Sequence, residues 1–251
     1  MLNVSNLCVR FGNKEVVSQL SFAVHEGEWL MLCGPNGAGK STAIGAIAQV
    51  VPYSGTILFR GENLYRIKPR SIARKIGILS QKNSVNFDFS VEEVVALGRY
   101  SRSKGILSRE KEDTSAYVRE VLKICGLEEF AQRSVLTLSG GELQRAFLAQ
   151  VFAQDPELLI LDEPANHLDL PYQKQLFELI AAWVQKPGKA VISVVHDLSL
   201  AKRYGSHALL MHEGKNCGCG PCDEVLTGEN LKNVYGMDVQ SWMQEMYQQW
   251  T

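Results

Sequence analysis

Two segments of this chain carry the residue types and spacing needed to hold a polyanion. The first, Gly34-Pro35-Asn36-Gly37-Ala38-Gly39-Lys40-Ser41-Thr42, fits the pattern G-x-x-x-x-G-K-[ST]. Its glycines let successive backbone N–H groups converge on phosphate oxygens, Lys40 supplies a point charge for the β- and γ-phosphates, and the Ser41 hydroxyl suits Mg²⁺. The second is Leu138-Ser139-Gly140-Gly141-Glu142. Ser139 with Glu142 three positions on reads as a capping box. The free N–H groups and positive dipole pole of such a helix start also favour an anion. One chain with two phosphate-seeking ends is most economically read as serving two nucleotides, its own and that of a facing copy. A third segment, Leu158-Leu159-Ile160-Leu161-Asp162-Glu163, runs from four aliphatics into two carboxylates. The aliphatics predict a strand buried on both faces, with the carboxylates at the sheet end where open α/β folds bind ligands. Asp162 suits the Mg²⁺ shell through water, and Glu163 stands where it can orient and deprotonate an attacking water.

The surrounding pattern supplies elements to position these groups. The apolar run Trp29-Leu30-Met31-Leu32-Cys33 precedes the glycine-rich loop and the helix-compatible Thr42 to Val50 follows it, giving strand, loop, helix. After Glu142, Leu143, Ala146, Phe147 and Val151 recur at helical spacing. Residues 1 to about 30 and 54–63 alternate short apolar runs with turns such as Gly12-Asn13 and Gly61-Glu62-Asn63, which predicts an antiparallel β-layer. Residues from about 82 to 145 read as helical. There Ser90-x-x-Glu93 caps a segment carrying Val91, Val94, Val95 and Leu97, and a second segment carries Val118, Val121, Leu122 and Cys125 before Gly126 as C-cap. Strand and helix then alternate through Leu158–Leu161, Pro171–Val184 with proline in the first turn, and Val191–Val195. The expectation is one α/β domain over residues 1–251, with a mostly parallel sheet, an antiparallel β-layer and an inserted helical subdomain.

Composition narrows the setting. A net charge of −1, from 26 basic and 27 acidic residues, argues against a nucleic-acid partner held by bulk electrostatics. No apolar run approaches the ~18 residues of a spanning helix. The start Met1-Leu2-Asn3-Val4-Ser5 lacks the charged and apolar regions of a signal peptide. A cytosolic chain that reaches a membrane only through a partner is therefore expected. The 6 cysteines, irregularly spaced, suit a reducing compartment. Cys217, Cys219 and Cys222 could together hold a soft metal or sense redox state, but a closed zinc site needs four ligands and only the nearby His212 offers a fourth. Small residues in a strand-and-turn are the plainer reading.

Taken in order, these motifs resemble the ATP-binding subunits of ATP-binding cassette (ABC) transporters, and the resemblance covers nearly the whole chain. It implies a P-loop NTPase core that binds ATP and Mg²⁺ and hydrolyses ATP. It also assigns roles that the residues alone would not. Phe11, before Gly12, would stack on adenine. Gln81, after the apolar Ile76 to Leu79, would touch Mg²⁺ and couple to a permease. Ala165-Asn166-His167-Leu168-Asp169 would cross a dimer interface, bringing Asp169 to the nucleotide. His196, after Val191 to Val195, would contact the γ-phosphate, whereas His25, His207 and His212 are expected to be structural. Ser139, Gly140 and Gly141 would contact nucleotide across a head-to-tail dimer. The implied partners are a second copy, integral-membrane permease subunits and, indirectly, a substrate-binding protein. The implied place is the cytoplasmic face of the membrane.

Within the family, Val91-Glu92-Glu93-Val94-Val95-Ala96-Leu97-Gly98-Arg99 and Asn166-His167-Leu168-Asp169-Leu170 are similar to importers of iron chelates, haem and cobalamin. Zinc and manganese importers are the alternative. Residues from Asn83 to Arg102 are the implied permease contact. One departure is that relatives often read Ala-Arg-Ala-Leu after the signature, where this chain has Ala149-Gln150-Val151-Phe152. The competing class is a soluble ABC ATPase of DNA repair, translation or cluster assembly. DNA-repair members carry long coiled coils between the two phosphate motifs, and residues 43–137 hold no sustained heptads. Translation members usually carry two cassettes, and this chain has one. Cluster assembly stays open.

Overall fold

The computed structural model of the chain describes residues 1–80, 87–102, 110–166 and 168–250. Its early elements are β1 (Leu2–Phe11), β2 (Lys14–Val24), β3 (Trp29–Cys33), α1 (Lys40–Ile47), β4 (Ser54–Phe59), β5 (Glu62–Asn63), α2 (Pro69–Lys75) and β6 (Ile76–Leu79). The helices α3 (Val91–Leu97), α4 (Glu110–Ile124) and α5 (Gly140–Gln154) follow. Next come β7 (Leu158–Asp162), α6 (Leu170–Val184), β8 (Ala190–Val194), α7 (Leu198–Tyr204), β9 (His207–His212) and β10 (Lys215–Pro221). The chain closes with α8 (Cys222–Val225), α9 (Gly228–Tyr235) and α10 (Val239–Gln248). Two compact units emerge, Met1–Leu64 with Ala190–Thr251, and Tyr65–Lys189.

In the first unit β2, β1, β4 and β5 pair antiparallel, forming the expected β-layer. Leu2, Val4, Leu7 and Val9 of β1 are buried. Their alternation slips by one residue at Asn6, which has φ 49° where the β1 register shifts. Such a bulge lets both halves of a long strand keep their apolar residues on the core face. Beside this layer β3 pairs parallel with β8 and β9, and β10 joins β9 antiparallel as an edge. All five residues of β3 and all five of β8 are buried, as expected of strands covered on both faces. The single polar group in the β8 run is satisfied, since Trp29 Nε1 donates to Ser193 Oγ at 2.8 Å. Two local expectations need correction. The helix expected over Thr42 to Val50 stops at Ile47, because Val50 and Val51 both donate to the Gly45 carbonyl and turn the chain back. Glu62-Asn63, expected within a turn, forms the short strand β5 against Leu58 and Phe59.

In the second unit β6 and β7 run parallel. Helices α3, α4 and the start of α5 lie in the stretch expected to be helical, with residues 125–139 between α4 and α5 in turns and short 3-10 segments. α3 opens on the expected capping box, with Glu93 N donating to Ser90 Oγ at 3.2 Å and Ser90 N donating to Glu93 Oε2 at 2.7 Å. Val91, Val94 and Val95 are buried as the pattern required, whereas Leu97 is exposed. Helix α5 ends on Asp155 in the left-handed region. Cations gather there: Arg99 donates to Ala153 O at 3.1 Å, Arg102 to Gln154 O at 2.9 Å, and Lys189 to Asp155 Oδ1 at 2.6 Å. Positive charge at the negative pole of a 15-residue helix is stabilising, and it satisfies carbonyls the helix leaves unpaired.

Candidate functional site

The phosphate loop joins β3 to α1 in the first unit, and its glycines are required by geometry. Gly34 has φ 139°, and a Cβ there would lie 2.1 Å from the Met211 carbonyl oxygen of β9. Gly39, the residue before α1, has φ 94°, and its Cβ would fall 2.8 Å from the Val16 carbonyl oxygen of β2. The loop is thus pressed between two strands that only glycine lets it approach. Lys40 is buried, and its ammonium donates to Gly34 O at 2.7 Å and Pro35 O at 2.9 Å. Pro35, Asn36, Gly37 and Ala38 form the intervening turn, and Ser41 and Thr42 lie in the first turn of α1. The Gly34 N–H is taken by the Tyr235 hydroxyl at 3.1 Å. Burial, and secondarily the neighbouring Cys33, pushes the Tyr235 pKa up to about 12, so this hydroxyl is neutral near pH 7. Phe11 ends β1 with 54% of its surface exposed, so its ring has an open face. His196 follows β8, is exposed, and stands next to Asp197, whose carboxylate caps α7 through Ser199 N at 2.8 Å.

In the second unit β7 delivers the carboxylate pair. Asp162 is buried at its end, and Glu163 follows in the left-handed region with φ 53°. A non-glycine residue held there costs on the order of 1–2 kcal/mol, a strain typical of functional positions. Asn166 Nδ2 donates to Glu163 Oε2, and Asn166 N to the Glu163 carbonyl at 3.2 Å, so a one-turn loop fixes the carboxylate. Asp169 caps α6 by accepting from Tyr172 N at 3.2 Å. That helix begins at Leu170, one residue before the expected proline.

The start of α5 is built as the sequence suggested. Ser139 N donates to Glu142 Oε2 at 2.7 Å and Glu142 N to Ser139 Oγ at 3.3 Å. Hydrogen bonds donated to the carboxylate by the Ser139 backbone N–H and hydroxyl hold the Glu142 carboxyl below its ordinary value. Nothing lies within 4 Å of where a Gly140 Cβ would stand, so the helix end is open to approach. Gln81 and His167 lie outside the described residues. The Ser41 hydroxyl and the Asp162 carboxylate are each oxygen donors of the kind a hard cation such as Mg²⁺ takes.

Sequence reasoning did not find Tyr235 or the bond from Asn166 to Glu163. Gly236, which caps α9, marks a helix end after Tyr235, but no local pattern announces a partner 201 positions away. The cysteine stretch does not form a cluster. Cys217 and Cys219 are exposed on β10, whereas Cys222 is buried with its thiol toward the Ala201 carbonyl at 3.7 Å. Among the described residues no group of three or more His, Cys, Asp or Glu side chains could hold a metal ion.

A phosphate loop between a buried parallel strand and a helix, with a carboxylate pair, Asp162 buried and Glu163 half-buried, ending a second such strand, defines the class of nucleotide-hydrolysing α/β cassettes. The chain belongs to the ABC transporter family, whose pattern its residues 17–166 match. It is thus an ABC transporter ATPase with the family's P-loop fold. It is 35% identical over 94% of its length, and 87% of the relative's, to FepC of Escherichia coli (strain K12), a ferric enterobactin transport ATP-binding protein. Identity is 37% to HmuV of Pseudomonas entomophila (strain L48), a hemin import ATP-binding protein, over 95% of this chain and 94% of that one. It also matches YvrA of Bacillus subtilis (strain 168), an uncharacterized ABC transporter ATP-binding protein, at 39% identity, and spans 52% of that relative's length. A solved ATP-binding subunit of an ABC transporter superposes with TM-score 0.81 at 24% identity over 98% of this chain and 99% of that one.

Proposed function

We propose that this chain, acting as a single ATPase domain, is the motor subunit of a membrane importer of metal chelates, of the iron–siderophore, haem or cobalamin kind. The observation that carries the reading is the open, capped start of α5 in a chain that already owns a complete phosphate loop. A second anion-seeking helix end has a use if it closes on the nucleotide of another copy. In that pair, Gly34 to Thr42 cradle the phosphates of one ATP and Phe11 stacks on its adenine. Ser139, Gly140, Gly141 and Asp169 reach the same nucleotide from the facing subunit. Mg²⁺ would be held by Ser41 and Asp162 with Gln81, and supplies charge neutralisation of the phosphates. Glu163, fixed by Asn166, takes a proton from the attacking water, and His196 steadies the γ-phosphate.

Coupling to a permease is supported by the surface around α3. Phe87 is 68% exposed and Tyr100 79% exposed, with Leu97 between them. Exposed apolar and aromatic side chains of this kind suit a helical loop of an integral-membrane partner. No helix among the described residues is long and apolar enough to cross a membrane, so attachment would be peripheral, on the cytoplasmic face. Cargo would be delivered by a substrate-binding protein that this chain never touches.

Detergent-solubilised membranes provide the test. Tagged chain should co-purify with a polytopic protein, and Tyr100→Glu should weaken that association while leaving ATP binding unchanged. In proteoliposomes holding the complex, ferric siderophore, haem or cobalamin with its binding protein should stimulate ATP hydrolysis. Recovery of the chain only as a soluble, fully active ATPase would overturn the transporter reading. Stimulation by zinc or manganese alone would move the cargo to free metal ions.

A further inference from the structure

Tyr235 belongs to no nucleotide-binding motif, yet its side chain reaches the first residue of the phosphate loop. The Gly34 backbone is held on both sides of its Cα. Its N–H donates to the Tyr235 hydroxyl at 3.1 Å, and its carbonyl accepts from the Lys40 ammonium at 2.7 Å. Between these two bonds Gly34 lies against the Met211 backbone in a conformation closed to side chains. The β3–loop junction therefore has its position set by three neighbours, and Tyr235 is the one contributed by the C-terminal helices.

The helix carrying Tyr235 is well anchored. Leu231 and Val234 bury the inner face of α9, and Thr227 caps its start through Asn230 N at 3.3 Å. Gly236, at φ 70°, closes the helix by donating to Lys232 O at 2.9 Å. The aromatic ring is thus presented at a fixed height beside the loop rather than on a mobile tail.

We propose that Tyr235 is a positioning residue for nucleotide binding, holding the Gly34 peptide in place while Lys40 divides its donors between the loop carbonyls and the phosphates. Drawing Lys40 toward a phosphate weakens its grip on the Gly34 and Pro35 carbonyls. The bond from Gly34 to Tyr235 does not involve the ligand, so it persists and keeps the cradle shaped. The effect falls on the α- and β-phosphate cradle, so ATP and ADP should depend on it alike. Hydrolysis at saturating ATP should depend on it little. The proposal rests on the reading of Gly34 to Thr42 as the phosphate cradle.

The test uses the full-length chain with Mg²⁺ and fluorescent ATP or ADP. Tyr235→Phe keeps the ring and removes only the oxygen. Loss of one neutral hydrogen bond predicts about a fivefold rise in Kd for both nucleotides, with kcat nearly unchanged. Val234→Ala loosens α9 by packing alone and should lower the thermal midpoint without moving Kd. Unchanged Kd in Tyr235→Phe overturns the inference, and so does an equal rise in Val234→Ala, which would make the effect one of helix stability. Lys40→Ala runs in parallel. If it too leaves affinity intact, the phosphate-loop reading itself has failed; if it abolishes binding while Tyr235→Phe does nothing, only the role of Tyr235 has.

Discussion

If Glu163 is the base proposed above, its replacement by glutamine isolates proton abstraction from every other feature of the site. Glu163 sits at φ 53° directly after the buried Asp162, and Asn166 Nδ2 donates to its Oε2. Glutamine has the same length, carries the same backbone strain, and can offer its own carbonyl oxygen to Asn166. Side-chain position is therefore kept, and what disappears is the proposed base. General-base catalysis contributes about 10²- to 10⁴-fold, which at 1.36 kcal/mol per tenfold is roughly 2.7–5.4 kcal/mol of barrier. Phosphate release at saturating Mg–ATP should fall by that factor while nucleotide affinity stays within about twofold, because binding and chemistry are then separated. With ATP bound but uncut, the paired state should accumulate, and size-exclusion chromatography with ATP and Mg²⁺ should show a stable dimer. Asn166→Ala, which keeps the carboxylate but frees it, should cost less, about tenfold in kcat. Near-normal turnover in Glu163→Gln would refute the assignment of the base. Equal losses in Glu163→Gln and Asn166→Ala would mean that orientation, not proton transfer, carries the effect.

Other expectations follow from the same geometry. Gly39→Ala forces a Cβ to 2.8 Å from the Val16 carbonyl at φ 94°; strain of roughly 2 kcal/mol should lower the thermal midpoint by about 4–8 °C, together with weaker ATP binding, checked by scanning fluorimetry and titration. Ser139→Arg should leave single-subunit ATP loading intact but block the paired state. Mixed with Lys40→Ala, it should recover some ATPase activity, because both lesions then share one composite site, and full cooperative activity of Ser139→Arg alone would end the trans reading. At the start of α5 the Glu142 carboxyl is held below its ordinary 4.5. Its contribution is complete above that value and is lost as pH falls through the lower folded value. Amide protection at Ser139 should drop over that acidic range, and Glu142→Gln should flatten the dependence.

Those parts of the protein that act over a few residues were legible in the chain. The capping boxes at Ser90 and Ser139 formed as read, because a side chain and a backbone N–H three positions apart meet in any helix start. The runs at Trp29–Cys33 and Leu158–Asp162 became fully buried strands because an unbroken aliphatic stretch has no polar face to offer water. The glycine-rich loop and the carboxylate pair were found by spacing alone.

What remained hidden depends on neighbours distant in sequence. Spacing said that Gly34 and Gly39 were glycines, but only the approach of the Met211 and Val16 carbonyls explains why nothing larger fits. Asn6 re-phases β1, and α1 ends early because Val50 and Val51 fold back onto Gly45. Arg99 and Arg102, within the segment read as a permease contact, turn their charges on the carbonyl end of α5, a role no local pattern announced. Glu163 gives no local sign of its left-handed backbone, which a glycine would have announced. Tyr235 shares no period with the loop it holds. Hydrophobic pattern and cap chemistry are properties of neighbours along the chain, so sequence determines them. Backbone strain and long-range hydrogen bonds exist only once packing has brought separate segments together, so tertiary structure decided them.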